Sequence, residues 1–168
     1  ISHNKANVSV FGKLVNAQKQ NRSVRIETHI TDHNHNVVVS ENSEIKIPAG
    51  VTADFETENM VIQNPSLWSP DNPYLYKVII RIYSTGRNEV MLDEILLPLG
   101  LRWFEFDDKN RFVLNGKPIK LVGANRHQDM PDKGSALLDE DHRNDFKHIK
   151  DLGMNFVRLA HYPQAREV

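Results

Sequence analysis

The 168-residue sequence has no cysteine, no run of more than three consecutive apolar side chains and almost no net charge, with 21 basic and 22 acidic residues. The absence of cysteine excludes disulfides, thiolate metal ligands and cysteine nucleophiles, although it does not fix the cellular compartment. The short apolar runs exclude a membrane-spanning helix. A net charge of −1 argues against a nucleic-acid binder that neutralises phosphates. We therefore expect neither a nucleic-acid nor a membrane partner.

Residues 6–99 show the two-residue alternation of apolar and polar side chains that is typical of half-buried β-strands. Turn-forming residues separate about seven candidate strands. These candidates are residues 8–15, 24–31, 37–40, 44–47, 51–62, 76–83 and 89–97. About seven short strands in ~100 residues predict an immunoglobulin-like β-sandwich, although the cysteine pair of antibody domains is absent.

Residues 65–76 combine three prolines with one tryptophan and two tyrosines. Proline fixes φ and has no N–H, so this segment cannot pair as a central strand. Two interpretations remain, a rigid corner that leads into strand 76–83 or an aromatic platform for stacking a sugar. Within the edge of a sandwich we favour the rigid corner.

The strict alternation stops after Gly100, and a hairpin is predicted within residues 112–122. Its turn is Asn115-Gly116, the dipeptide that best tolerates the positive φ angles of a type I′ turn. A polar cluster, residues 125–129, follows the second strand of this region.

A helix is predicted next, with Asp139 as its N-cap and Gly153 just beyond its C-terminus. Acidic residues come first and basic residues last, as the helix dipole favours. Phe146, Ile149 and Leu152 form its apolar stripe. Residues 154–160 then predict a mostly buried strand, which makes residues 119–160 a βαβ unit with two parallel strands.

Both parallel strands end in polar, ionisable residues. Ligands of parallel α/β folds bind at the carboxyl ends of the strands, so we expect Arg126, His127, Arg158 and His161 to converge on one pocket. The alternative is a solvated rim without function. Two clusters at equivalent positions of adjacent strands favour the functional interpretation.

Four sequence segments occur in a fixed order: Leu67-Trp68-Ser69-Pro70 with Pro73-Tyr74-Leu75-Tyr76, Leu114-Asn115-Gly116-Lys117-Pro118, Gly123-Ala124-Asn125-Arg126-His127, and Asn155-Phe156-Val157-Arg158 with His161-Tyr162-Pro163. Together they resemble family 2 of the glycoside hydrolases, the family of the large β-galactosidases, β-glucuronidases and β-mannosidases. The resemblance implies a mainly β fold. An immunoglobulin-like β-sandwich would occupy residues 1–103, and residues 104–168 would form the truncated βαβ start of a (β/α)8 TIM barrel that carries catalysis.

The resemblance also implies a retaining mechanism, in which one glutamate is the acid/base and a second is the nucleophile. Neither glutamate motif occurs here, so we expect no catalytic residue in this chain and no activity from it alone. His127 and His161 match the sugar-contacting histidines of the family. Arg158 matches the arginine that lies against the nucleophilic carboxylate and keeps it ionised.

Three further substrate-site candidates come from the same motifs. Asn125 and Arg126 precede the first histidine, and Arg126 could instead hold an acidic residue within the barrel. Tyr162 would support the pocket wall. Gln128 departs from the family pattern, since many members carry glutamate after this histidine, and the loss of that charge puts an ion role there in doubt.

The resemblance leaves several functional details open. The motif Asn125-Arg126-His127 favours a β-galactoside as the carbohydrate substrate, with a β-glucuronide or a β-mannoside as alternatives. No cofactor is implied with certainty, although Mg or Na could bind in a longer parent protein. Localisation stays open between cytoplasm and periplasm, because any signal peptide would lie upstream of this chain.

Two competing interpretations concern metal binding and the class of protein. His29, His33 and His35 could form a Zn or Ni site, but residues 32–36 also have the composition of an exposed turn, and no carboxylate or cysteine completes a ligand set. We therefore expect no physiological metal site.

The chain could also be a non-catalytic sandwich that binds carbohydrate or protein. Because two strands and a helix cannot close a barrel, we expect a homo-oligomer or swapped contacts through residues 119–168.

Overall fold

The structure is a computed structural model that describes residues 1–58 and 60–168. It divides into two compact units, Ile1–Phe104 and Glu105–Val168. Asn59, which belongs to the predicted strand 51–62, lies outside the described residues. In the part of the chain that is described, no helix is long and apolar enough to cross a membrane.

Among the residues that the structure describes, the first unit has eight antiparallel strands in three sheets, where the sequence predicted about seven. One sheet has four strands in the order β4-β3-β7-β8, and two smaller sheets pair β1 with β6 and β2 with β5. The strands are β1 (Lys5–Val8), β2 (Phe11–Val15), β3 (Arg22–Thr31), β4 (Val37–Ile47), β5 (Thr52–Glu56), β6 (Met60–Gln63), β7 (Tyr76–Ser84) and β8 (Met91–Leu99).

The division into strands differs from the prediction at three places, and several other strand ends shift by one or two residues. Predicted strand 8–15 divides into β1 and β2, and predicted strand 51–62 divides into β5 and β6. Predicted strands 37–40 and 44–47 join into one eleven-residue strand, β4. Its polar centre, Glu41-Asn42-Ser43, stays in register with β3, so the main-chain ladder continues where the side-chain pattern had indicated a turn.

The core of this unit comes from the inward-facing residues of the alternating strands. On β3, Ile26 and Ile30 are at most 2% exposed, and Val78 and Ile80 of β7 are almost as deeply buried. Full burial of each such side chain stabilises the fold by roughly 1.5–3 kcal/mol. The mainly β sandwich predicted from periodicity is therefore confirmed.

The proline-rich segment 65–76 forms a corner that leads into β7. The indole of Trp68 lies against the Arg102 guanidinium at 4.8 Å, and the main-chain N–H of Trp68 donates to the Leu101 carbonyl at 2.9 Å. Tyr76 is 5% exposed, and its hydroxyl accepts from the Ser66 N–H at 2.9 Å. These contacts are those of a rigid corner, since the aromatic rings pack within the unit.

A charged cluster covers part of the outer face of the four-stranded sheet. Arg25 forms two hydrogen bonds with the Glu89 carboxylate, at 2.9 and 2.7 Å, and a third with Glu27. The guanidinium also lies 4.5 Å from the Tyr83 ring centre. Hydrogen bonds from Arg25 lower the pKa of both Glu27 and Glu89.

The second unit contains a small antiparallel sheet and one βαβ element. The antiparallel sheet has the order β11-β10-β9, and β12 pairs with β13 in parallel. Asn115 and Gly116 turn between β10 and β11 with φ of 51° and 77°, as the type I′ prediction requires. The elements are β9 (Phe104–Phe106), β10 (Phe112–Leu114), β11 (Lys117–Pro118), β12 (Gly123–Arg126), α1 (Asp139–Asp151) and β13 (Phe156–Leu159).

The helix differs from its prediction in its cap and in its buried face. Leu138, not Asp139, is the N-cap residue, because the Asp141 carboxylate reaches back to accept the Leu138 N–H at 2.9 Å. Gly153 follows the helix at φ 76°, as predicted. Leu152 is 74% exposed, whereas His142 is 2% exposed, so the helix presents a partly polar face to its neighbours.

Candidate functional site

The site begins with the parallel pairing of β12 and β13. The register places Gly123 beside Phe156 and Asn125 beside Arg158. A Cβ on Gly123 would lie 1.9 Å from the Phe156 carbonyl oxygen, so only glycine permits this close approach. The register therefore sets which side chains share the carboxyl edge of the two strands.

Asn125 and Arg158 form the first polar pair at this edge. Arg158 Nη1 donates to Asn125 Oδ1 at 3.3 Å, and both residues are exposed. The bond leaves other guanidinium N–H groups of Arg158 directed away from Asn125, because the planar fork carries five donors. The remaining guanidinium N–H groups of Arg158 can donate hydrogen bonds to a carboxylate or to a sugar hydroxyl.

His127 and His161 lie just beyond the ends of the paired strands. Their ring centres are 5.5 Å apart and the ring planes are tilted by 58°. Both residues are exposed, and the peptide bond between Ala160 and His161 is cis. Two imidazoles at this spacing can donate hydrogen bonds to neighbouring hydroxyls of one small polar ligand.

Tyr162 and Gln128 connect the two loops that carry the histidines. The Gln128 N–H donates to the Tyr162 hydroxyl at 2.6 Å, and the Ala165 N–H donates to Gln128 Oε1 at 3.1 Å. The Tyr162 ring is 44% exposed. Its hydroxyl is thus already engaged within the site.

Arg126 points away from this edge and into the second unit. It is 5% exposed, and its Nε and Nη2 donate to Asp145 Oδ2 at 3.0 and 2.7 Å. Nη2 also lies 2.9 Å from His142 Nδ1, which must accept because a guanidinium has only donors. The Phe146 ring lies 5.3 Å from the guanidinium carbon. Arg126 could contact the substrate or hold an acidic residue within the barrel, and its contacts with Asp145 favour the second role.

Sequence reasoning did not identify His142 and Asp145 as the partners of Arg126. The available signal was their spacing, because residues 142, 145, 146 and 149 follow the i, i+3, i+4, i+7 pattern of one helix face. Two polar residues on the face that also carries Phe146 and Ile149 indicate a buried polar partner.

The described residues show no cluster of metal-binding side chains. No three His, Asp or Glu side chains in the described ranges are grouped so that they could hold a metal ion. Gln128 offers a neutral oxygen that already accepts a main-chain N–H. The residues here do not fit an Mg or Na ion.

The three histidines of the competing metal hypothesis have separate neighbours. His33 Nδ1 lies 3.0 Å from the Tyr74 hydroxyl, and His29 Nε2 lies 3.5 Å from Glu27 Oε2. His35 occupies a turn at φ 66° that the Asp32 carboxylate closes through the Asn34 and Asn36 N–H groups.

Comparison with known proteins assigns both units. Residues 1–102 match the family model "Glycosyl hydrolases family 2", and residues 104–168 match "Glycosyl hydrolases family 2, TIM barrel domain". A β-galactosidase from Thermoanaerobacter pseudethanolicus is 40% identical over 131 residues, which cover 74% of this chain and 17% of that protein. A β-glucuronidase from Bacteroides fragilis is 36% identical over 130 residues, which cover 77% of this chain and 18% of that protein.

A solved structure supports the same assignment. The crystal structure of a Bacteroides uniformis β-glucuronidase superimposes with a TM-score of 0.93 and 35% identity, covering 99% of this chain and 20% of that one. The chain therefore spans about a fifth of the length of the relatives it matches. With matches over both units and a sandwich followed by a parallel βαβ element, the chain belongs to glycoside hydrolase family 2.

Proposed function

We propose that this chain forms part of a retaining exo-β-glycosidase that removes a terminal β-linked sugar, with a β-galactoside as the first candidate substrate. The observation that carries the proposal is the placement of His127, His161, Arg158 and Asn125 at the carboxyl edge of two parallel strands, where barrel enzymes bind their substrates. Tyr162 completes the wall beside them.

Each polar group has a role that its chemistry allows. The imidazoles of His127 and His161 would hydrogen-bond ring hydroxyls, and such bonds accelerate the reaction to the extent that they strengthen in the oxocarbenium-like transition state. The Arg158 guanidinium would lie against the nucleophilic carboxylate and favour its ionised form. Asn125 orients that guanidinium through the 3.3 Å hydrogen bond.

A β-glucuronide is the second candidate substrate, because relatives named β-glucuronidase match this chain as well as those named β-galactosidase. The galactoside preference derives from the motif Asn125-Arg126-His127. Since Arg126 is 5% exposed and donates through Nε and Nη2 within the unit, only the two flanking residues of that motif would contact substrate.

The experiment compares this 168-residue chain with a version extended downstream by several hundred residues, using chromogenic β-galactosides and β-glucuronides. Because neither glutamate motif of the family occurs in the chain, we expect the short chain to be inactive and the extended version to hydrolyse one of the two substrates. His161→Asn in the extended version should reduce kcat, whereas His148→Asn, on the exposed side of α1, should not.

Two results would refute the proposal in different ways. Hydrolysis by the short chain would show that the reaction does not need downstream glutamates. An extended version that binds these sugars without hydrolysing any would favour the non-catalytic binding module instead.

We also propose that the short chain self-associates through its second unit. Four large apolar residues on or before its parallel strands are 39–46% exposed, which is unusual for strands of a parallel sheet. They are Leu121, Val122, Phe156 and Leu159. Light scattering should report a dimer or larger species, and a strictly monomeric particle at all concentrations would contradict the proposal.

A further inference from the structure

The two histidines of the site lie beyond the last main-chain pairing that could fix their separation. The parallel register ends with Arg126 beside Leu159, so His127 and His161 belong to loops and not to the ladder. Contacts between the two loops can therefore help to set their 5.5 Å separation and 58° tilt.

Gln128 supplies two such contacts from a single residue. Its main-chain N–H donates to the Tyr162 hydroxyl at 2.6 Å, and its side-chain Oε1 accepts from the Ala165 N–H at 3.1 Å. Gln128 directly follows His127, and Tyr162 directly follows His161. The first bond thus joins the two residues next to the histidines, and the second joins the same residue to the far end of the opposite loop.

We propose that Gln128 and Tyr162 are positioning residues that hold His127 and His161 at the separation needed to bind one sugar ring; this inference rests on the proposed function. We call the hydrogen bonds of Gln128 to the Tyr162 hydroxyl and to the Ala165 N–H the loop latch. Neither bond requires Gln128 or the Tyr162 hydroxyl to touch the sugar.

The chemistry of Gln128 suits this role. A methionine of similar length has no comparable acceptor for the Ala165 N–H, whereas glutamate could accept the same bond but would add a negative charge beside the site. A neutral amide therefore gives the acceptor without the charge. Tyr162 adds a rigid ring that carries its hydroxyl to the Gln128 main chain, and phenylalanine would keep the ring while removing the bond.

The effect on catalysis should appear in kcat. Histidines that are displaced by a fraction of an ångström still permit substrate binding but lose alignment in the transition state, and misplacement of about 1 Å can cost on the order of 100-fold. We expect Gln128→Met and Tyr162→Phe each to lower kcat by about 10-fold, with KM within about twofold of the parent value.

Two measurements test the positioning role of the loop latch independently of the proposed function. In the 168-residue chain labelled at histidine, the NMR cross-peak between the His127 and His161 rings reports their proximity without any substrate. In the extended version, kcat and KM are measured for the substrate that it hydrolyses. Tyr74→Phe is the matched control, because it removes a tyrosine hydroxyl that bonds a histidine in the first unit.

The latch predicts that Gln128→Met and Tyr162→Phe weaken the ring cross-peak, while Gln128→Glu and Tyr74→Phe retain it. A cross-peak of unchanged intensity in both Gln128→Met and Tyr162→Phe would overturn the inference. An increase in KM with unchanged kcat would also overturn it, because it would mean that these residues contact the substrate directly. If the extended parent hydrolyses no glycoside, the proposed function fails, and the cross-peak still decides whether the latch positions the histidines. Because Tyr162→Phe removes a single hydroxyl, its backbone spectrum should match the parent outside the two loops.

Discussion

Replacing Asp145 by alanine removes the counter-charge from a guanidinium whose side chain is only 4% exposed. Arg126 would keep its hydrogen bond to His142, but both bonds to Asp145 Oδ2 would be lost. The charged group cannot reach bulk water without moving β12 away from α1. The substitution should therefore destabilise the second unit where its strand and helix meet.

The magnitude follows from the burial of the two partners. Removing one member of a buried ion pair costs about 3–5 kcal/mol, because the other charge is left without compensation. The Asp145 side chain is 26% exposed, which favours the lower end, and alanine returns up to about 0.7 kcal/mol of helix propensity. We expect a net loss of about 2–3 kcal/mol, or roughly 30- to 140-fold in an opening equilibrium.

Hydrogen exchange followed by mass spectrometry measures this opening directly. Amides of α1 should exchange roughly 30- to 140-fold faster in Asp145→Ala than in the parent. Glu140→Ala is the matched control, because it removes an exposed carboxylate from the same helix and should change exchange by only about twofold. Joint replacement by Arg126→Met and Asp145→Leu should recover most of the loss. Exchange in Asp145→Ala that is no faster than in Glu140→Ala would refute the reasoning.

Three further predictions concern packing and pH. Gly123→Ala should separate β12 from β13, because the added Cβ would meet a β13 carbonyl oxygen at 1.9 Å; accelerated exchange of the β13 amides would show this, and parent-like exchange would contradict it. Ile26→Ala should destabilise the first unit by about 2–5 kcal/mol and Ile26→Val by about 0.5–1.5 kcal/mol, measured by urea unfolding with tryptophan fluorescence; equal losses would argue against a packed core. Arg25 lowers the pKa of Glu27 and Glu89 in the folded state, so their contribution is complete above the ordinary glutamate pKa of about 4.3 and is lost as the pH falls through the lowered values. The urea midpoint of the parent should therefore decline in that acidic range, and the midpoint of Arg25→Met should decline less. Identical pH profiles of the two midpoints would count against a stabilising role of the cluster.

The antiparallel part of the fold was predictable because its signal is local. In β3 and β7, each side chain alternates between core and solvent, and that alternation is written directly into the sequence. The strand boundaries were harder to predict. The polar centre of β4 has the composition of a turn, yet its main chain pairs along its length with β3, and only the neighbouring strand supplies that information.

The location of the candidate site residues at one strand edge was predictable, but the contacts among them were not. The positions of His127 and His161 after two parallel strands follow from the βαβ pattern, because parallel strands end at the same edge. The direction of Arg126 was not fixed by that pattern. It depends on Asp145 and His142, which lie 19 and 16 residues further along the chain and become neighbours only when α1 packs on β12.

The sequence alone determined the class of protein, through its near-zero charge, its lack of cysteine, its short apolar runs, its alternating strands and the four family motifs. It also predicted which polar side chains come together at the edge of two parallel strands. The tertiary structure decided how that place is held together. It buried Arg126 in an ion pair beneath the site, engaged the Tyr162 hydroxyl with the Gln128 main chain, and gave His29 and His33 different partners in the first unit. The physical reason is that side-chain periodicity is a property of adjacent residues, whereas hydrogen-bond partners and burial depend on which distant segments pack together.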